Sequence, residues 1–221
     1  VKSGGDMTNL VFDLDGTLHD TIRIYAPAFR KAYQYLTEKG FAESREWTDK
    51  EISRWLGYNS RDMWNMFMPG LPDIEKDTCS QIIGSEMLRA IKAGEAQLYE
   101  GVTQLLQELK ADGYRLVLLS NCKTSYMNEC IKCFVLEQYF SAFYCTEQFD
   151  YAPKDEIFKE IVNDYPGQFI IIGDRETDLQ IAKRYGLPFI GCSYGYGDPM
   201  ELREADYIAE TPVDIQPLTV E

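Results

Sequence analysis

The chain predicts an α/β fold: a parallel sheet with helices on both faces, carrying an inserted all-helical block. Three observations predict it. From Gly101 onward, short apolar runs alternate with stretches of helical spacing, the pattern of strands joined by crossover helices. An earlier apolar run, residues 8–13, reads as a buried strand that stops at an aspartate. Between them, residues 21–95 hold helix-like apolar spacing and few strand signals.

In chain order, the strand over 8–13 is followed by helices over 21–39, 48–56, 60–68 and 74–93, punctuated by Pro69, Gly70 and Pro72. A helix over 102–112 leads to a strand over 114–119. A helix near 124–134 and a short strand near 142–145 come next. A helix over 155–164 precedes a buried strand over 168–172, and a helix over 176–185 leads to a strand over 188–191. The expected division is a core of residues 7–20 and 96–221 with a helical cap of residues 21–95. Residues 1–6 read as a non-native extension, with Met7 as the expected start.

Composition narrows the function. The 221 residues are 45% hydrophobic and 26% charged, enough for a sizeable core. A formal net charge of −14 argues against a nucleic acid polymer or an anionic membrane as partner, since both require clustered Lys and Arg. No apolar run approaches the roughly 20 residues of a spanning helix, and no basic-then-apolar signal segment opens the chain. A cytoplasmic protein, monomer or weak dimer, is expected. The six cysteines then read as buried free thiols. Cys130 and Cys133 form a single CxxC, too few ligands for a zinc site, and the one histidine, His19, lies far from them.

The chemistry gathers at strand ends. Asp13 and Asp15 follow the first strand, Ser120 and Asn121 the second, and Gly173, Asp174 and Asp178 the fourth. Lys154 opens the helix before that fourth strand. In a parallel sheet these positions share one edge, where ligands bind. Buried carboxylates are costly unless a metal or cation neutralises them, so the cluster points to chemistry. A calcium loop is excluded by its spacing. Gly16 falls at position four and Ile24 at position twelve, where such a loop needs Gly at six and Glu at twelve.

DLDGT at 13–17, Ser120 after Leu118-Leu119, Lys154, and GDRETD at 173–178 are in the order and spacing of the haloacid dehalogenase-like hydrolases, which the chain resembles from Met7 on. The helical insertion resembles the cap of the phosphoglycolate phosphatase and β-phosphoglucomutase-like subfamily. Gly195-Tyr196-Gly197 and Ala205-Asp206-Tyr207-Ile208 resemble the phosphoglycolate phosphatase branch. The resemblance implies a Rossmann-like core and Mg²⁺-dependent hydrolysis of a small phosphorylated metabolite through an aspartyl phosphate. It implies Asp13 as nucleophile and Asp15 as general acid and base. It implies Mg²⁺ held by Asp13, the Asp15 backbone carbonyl and Asp174, with Asp178 behind them. Lys154, Ser120 and backbone N–H groups near Leu14, Asn121 and Cys122 would stabilise the phosphoryl oxygens.

The departure from the commonest pattern is Asp155, where relatives often carry proline after the lysine; Lys123 is the competing lysine. Phosphoglycolate is the first substrate expected, with a nucleoside monophosphate or a sugar phosphate as alternatives and a phosphomutase as the rival reaction. The segment 57–61 resembles the cap loop over the active site. There Arg61 or Arg54 would hold an anionic part of the substrate, or else Asn59 or Ser60 simply caps a surface helix. His19 reads as a packing or hinge residue.

Overall fold

A computed structural model describes residues 7–219; the expected extension over residues 1–6 lies outside them. The apolar run after Met7 forms β1 (Thr8–Phe12), which ends where Asp13 begins. The inserted block follows as α1 (Ile22–Glu38), α2 (Asp49–Ser53), α3 (Ser60–Phe67) and α4 (Asp73–Lys92). The chain then alternates through α5 (Val102–Ala111), β2 (Arg115–Ser120), α6 (Thr124–Phe134), β3 (Phe140–Cys145), α7 (Lys154–Asp164), β4 (Gln168–Gly173), α8 (Glu176–Tyr185) and β5 (Phe189–Cys192). It closes with β6 (Tyr207–Ala209) and α9 (Ile215–Leu218). Neither of these last two is anticipated by periodicity, because runs of three and four residues carry no repeat to read.

All neighbouring strands pair in parallel, in the order β3-β2-β1-β4-β5-β6. Val11 of β1 lies opposite Val117 on one side and Ile171 on the other. Alternate residues serve two cores. Leu10, Phe12, Leu116 and Leu118 join Leu105, Leu109 and Met127 of α5 and α6 on one face. Val11, Val117 and Ile171 join Ile157, Phe158, Leu179 and Ala182 of α7 and α8 on the other. Burial on both faces explains why these strands read as continuous apolar runs.

In the insertion, α1 lays Ala28, Phe29, Ala32 and Leu36 against Cys79, Ile83 and Met87 of α4, and the first core continues into this layer. Phe29, Tyr33, Trp47 and Phe67 gather beside it with ring centroids 5.3–6.4 Å apart. Phe29, the fully buried one of these, contributes about 1.5–3 kcal/mol against exposure. Thr48 and Glu51 close a capping box that starts α2. Asn59 caps α3 by accepting from the Asp62 N–H at 3.0 Å.

All six cysteines are free thiols. Cys79, Cys130, Cys145 and Cys192 are buried, whereas Cys122 is half-buried and Cys133 is exposed. The expectation of uniform burial is corrected for those two. Cys133 falls on the solvent face of α6, because the apolar stripe of that helix runs through Tyr126, Met127, Cys130 and Ile131.

Candidate active site

Growth of the sheet reverses direction between β1 and β4, and the crevice beyond their carboxyl ends is where such folds bind ligands. Asp13 leaves β1 and Asp174 leaves β4 at that crevice, while Ser120 ends the neighbouring β2. Lys154 is the first residue of α7 and Asp178 lies in the first turn of α8. All five are buried.

Lys154 Nζ stands 2.9 Å from Asp13 Oδ1 and 2.7 Å from Asp178 Oδ1. Asp13, Asp174 and Asp178 each offer an oxygen within 4.8 Å of the others. Asp13 and Asp178 thus share one ammonium, with the buried carboxylate of Asp174 beside them. Burial pushes the Asp13 carboxyl well above its ordinary value against the pull of Lys154, and Asp178, Asp174 and Asp15 push the same way. Burial, with Asp178, raises Asp174 to about 7. Burial alone would lower Lys154, but Asp13 and Asp178 raise it instead, so it stays charged. The cluster is short of positive charge, and its donors are hard oxygens. A divalent cation that prefers oxygen ligands fits it.

Asp15 points elsewhere. Its Oδ1 accepts hydrogen bonds from Thr21 Oγ1 at 2.6 Å and from the Tyr126 hydroxyl at 2.7 Å, with His19 Nδ1 at 3.5 Å. Burial raises the Asp15 carboxyl, but His19, Thr21 and Tyr126 together bring it below its ordinary value. His19 is fully buried against Phe134, with 5.2 Å between ring centroids. It sits in a tight turn whose backbone is closed by bonds between Leu14 or Gly16 and His19. It therefore packs and orients Asp15.

Glycines pack closely around the acids. A Cβ on Gly16, which sits at φ +83°, would lie 2.2 Å from Asp174 Oδ2, and one on Gly195 would lie 2.4 Å from Asp174 Cβ. The Tyr196 N–H donates to Asp174 Oδ2 at 2.7 Å. The Gly-Tyr-Gly stretch thus holds Asp174 in place.

The insertion is seated on the core through residues 56–58. Arg175, buried between the two acids of its motif, donates to the Leu56 carbonyl and, at 3.0 Å, to Glu201 Oε2. Its guanidinium lies 4.6 Å from the Tyr58 ring centroid. Asn121 Nδ2 donates to the Gly57 carbonyl at 2.8 Å. Removing the guanidinium deprives the Leu56 carbonyl of this donor and takes the cation from Glu201, which keeps the Glu176 and Asp198 N–H groups. Arg175→Ala is expected to destabilise the protein by about 2–3 kcal/mol and to raise KM more than it lowers kcat. A thermal melt beside a substrate titration checks this; an unchanged KM would count against the seating role.

A pocket opens from Asp13 and Asp15 between the sheet edge and the insertion, lined also by Ser120, Asn121, Cys122 and Lys123. Lys154, not Lys123, reaches the acids. Arg61 and Arg54 are exposed and neither lines the pocket. Arg61 rests over Tyr151, 5.7 Å from its ring centroid, on an adjoining groove. The start of α3 there is a helix end capped by Asn59, and Arg61 stands on the groove beside the pocket and does not line the pocket itself. Sequence reasoning missed Thr21, Tyr126, Arg175 and Tyr196. The GDRETD motif contains Arg175 and could have prompted the question of its partner. Nothing local marks Tyr126.

The chain resembles known proteins along nearly its whole length. It is 26% identical over 212 residues to a phosphoglycolate phosphatase of Psychrobacter arcticus, covering 90% of this chain and 89% of the relative. It is 25% identical over 242 residues to the Escherichia coli K12 phosphoglycolate phosphatase, covering 96% and 92%. Among solved structures, a predicted phosphatase from Clostridium acetobutylicum superposes with a TM-score of 0.80 at 22% identity, covering 98% of this chain and 99% of that one. A haloacid dehalogenase-like family hydrolase from Streptococcus pneumoniae gives 0.76 at 25% identity, covering 96% and 98%. Residues 10–192 match the model of the haloacid dehalogenase-like hydrolases. With the strand order, the four motifs and this match in agreement, the chain belongs to that hydrolase family.

Proposed function

We propose that the protein is a Mg²⁺-dependent phosphatase that hydrolyses a small phosphate monoester through an aspartyl-phosphate intermediate, with a phosphoglycolate phosphatase-like reaction. The observation that carries this reading is Asp13, buried 2.9 Å from Lys154 at the reversal of the sheet, with Asp15 beside it on the pocket wall. Phosphate monoesters are among the slowest substrates in water, and division into two displacements lowers each barrier.

Asp13 attacks phosphorus, its oxygen–phosphorus bond forming as the ester oxygen–phosphorus bond breaks. Asp15 gives its proton to the departing oxygen and then takes one from the water that cleaves the acyl phosphate. The hydrogen bonds from Thr21 and Tyr126 hold Asp15 as a carboxylate, the form that deprotonates water. Leaving those donors for the ester oxygen raises its proton affinity. Lys154, Ser120 and the N–H groups near Leu14, Asn121 and Cys122 steady the phosphoryl oxygens.

Asp13, Asp174 and the Asp15 carbonyl would hold Mg²⁺, with Asp178 supporting them from its bond to Lys154. When bound, the ion supplies the positive charge the acid cluster lacks. Residues 21–95 act as a cap on a core of 7–20 and 96–221, excluding water when seated. Arg61, exposed on α3, has no part in this reading. A cytoplasmic monomer or weak dimer accords with net charge −14 and with the absence, among the described residues, of any helix fit to cross a membrane.

Phosphate release from a panel of phosphorylated metabolites, followed with EDTA and then with excess Mg²⁺, tests the proposal. EDTA is expected to lower the rate by about 10²-fold or more, and Mg²⁺ to restore it. Hydrolysis that ignores the chelator would overturn the metal assignment.

A further inference from the structure

The wall that faces the acids has a definite chemistry. The inserted block contributes Tyr25, Trp55, Met63, Trp64, Ile83 and Met87 to the pocket, together with small polar residues, and no charged side chain. Among the described residues that line it, the charged ones are Asp13, Asp15 and Lys123. Lys123 interacts electrostatically with Glu147, whose carboxylate also accepts the Thr124 N–H at 2.8 Å. Its charge is therefore partly answered within the protein. Arg54 is exposed and outside the pocket, and Arg61 is exposed on the adjoining groove, which shares Ser60, Trp64, Ser80, Lys123 and Tyr151 with it.

A leaving group that carries a carboxylate, as in phosphoglycolate, would lose water against aromatic and aliphatic side chains. It would do so with no arginine to receive it and with Lys123, which already faces Glu147, as the cation among the described lining residues, an unfavourable transfer. An uncharged apolar or aromatic group would instead bury its surface favourably in the same space.

The geometry points to a phosphate monoester whose leaving group is uncharged and largely apolar or aromatic, with compact carboxylate esters as poor substrates. This rests on the phosphatase reading above, keeping its reaction, and departs from it in the leaving group, since phosphoglycolate itself is then not the preferred substrate. Trp55 is the residue assigned to specificity, because it directly precedes the segment that seats the insertion on the core and lines the pocket beside Leu56 and Gly57.

Three esters of primary alcohols separate the possibilities: phosphoglycolate, ethyl phosphate and 2-phenylethyl phosphate, each assayed for kcat/KM with Mg²⁺ on the full chain. The expected order is 2-phenylethyl above ethyl above phosphoglycolate, with about tenfold or more between the extremes. Trp55→Ala is expected to lower kcat/KM for 2-phenylethyl phosphate about tenfold more than for ethyl phosphate, chiefly through KM, and Trp55→Phe to recover most of that loss. Phosphoglycolate as the best of the three, or equal losses on both neutral esters in Trp55→Ala, overturns the inference and leaves the phosphatase reading standing. No release of phosphate from any of the three overturns the inference, and no release across the wider metabolite panel overturns the phosphatase reading as well.

Discussion

Asp13→Asn is expected to lower kcat for phosphate release by at least about 10⁴-fold, as loss of a nucleophile does in other covalent enzymes, without unfolding the protein. The amide keeps the shape of the carboxylate but not its nucleophilic oxygen. Stability should hold because the charge on Asp13 is disfavoured where it sits: burial and three neighbouring acids raise its carboxyl despite Lys154. Lys154 also retains Asp178 at 2.7 Å. The melting temperature at pH 7 should therefore match or exceed that of the parent protein. Acid-quenched mass spectrometry should find a phosphorylated peptide containing Asp13 in the parent and none in the variant. Turnover within tenfold of the parent would remove Asp13 from the mechanism.

Lys154→Met should damage both stability and chemistry. It deletes the ammonium shared by Asp13 and Asp178 at 2.9 and 2.7 Å and leaves buried carboxylates facing one another. Breaking a buried pair from one side costs about 3–5 kcal/mol, which for a chain of this length lowers the melting temperature by roughly 10 °C. Loss of a charge aimed at the phosphoryl oxygens should lower kcat by a further 10²–10³-fold, about 3–4 kcal/mol of barrier. The effect depends on pH with a definite sign. Asp13 and Asp174 are raised in the folded state, so they keep protons that the unfolded chain has already released. Metal-free stability therefore falls as pH rises from the ordinary carboxylate value of 3.8 toward about 7, where Asp174 titrates. The gap between Lys154→Met and the parent should be widest near pH 8 and narrow toward pH 4. Mg²⁺ should restore part of the stability at high pH but not the rate. A gap that is constant across this range would mean that Lys154 does not balance these acids.

How much of this was legible before folding divides by distance along the chain. Asp13 and Asp15 could be picked out because an apolar run stops at them, and Asp174 and Asp178 because another run stops just before them. Lys154 stood out by its place ahead of that second run. Such signals are local, written within a few residues. The helical insertion was legible for the same reason, since repeated spacing over residues 21–95 reports an amphipathic face. By contrast, β6 was too short to carry a period. The partners that tune the site lie far off: Tyr126 reaches Asp15 across 111 positions, and Arg175 reaches Leu56 across 119. For Arg61 the cap loop offered two readings, a substrate contact or a capped helix start; the structure shows the Asn59 cap and an exposed arginine on the groove beside the pocket.

By itself, then, the sequence determined the family, the parallel α/β core and the identity of the acids and lysine, because strand-end chemistry and periodicity are short-range properties. Tertiary structure alone decided which donors hold Asp15, how Gly16, Gly195 and Tyr196 enclose Asp174, and that an aromatic, uncharged wall faces the acids. Those outcomes depend on packing between segments that meet only when the sheet closes and the insertion settles upon it, and no local pattern encodes where a side chain of one element will find another.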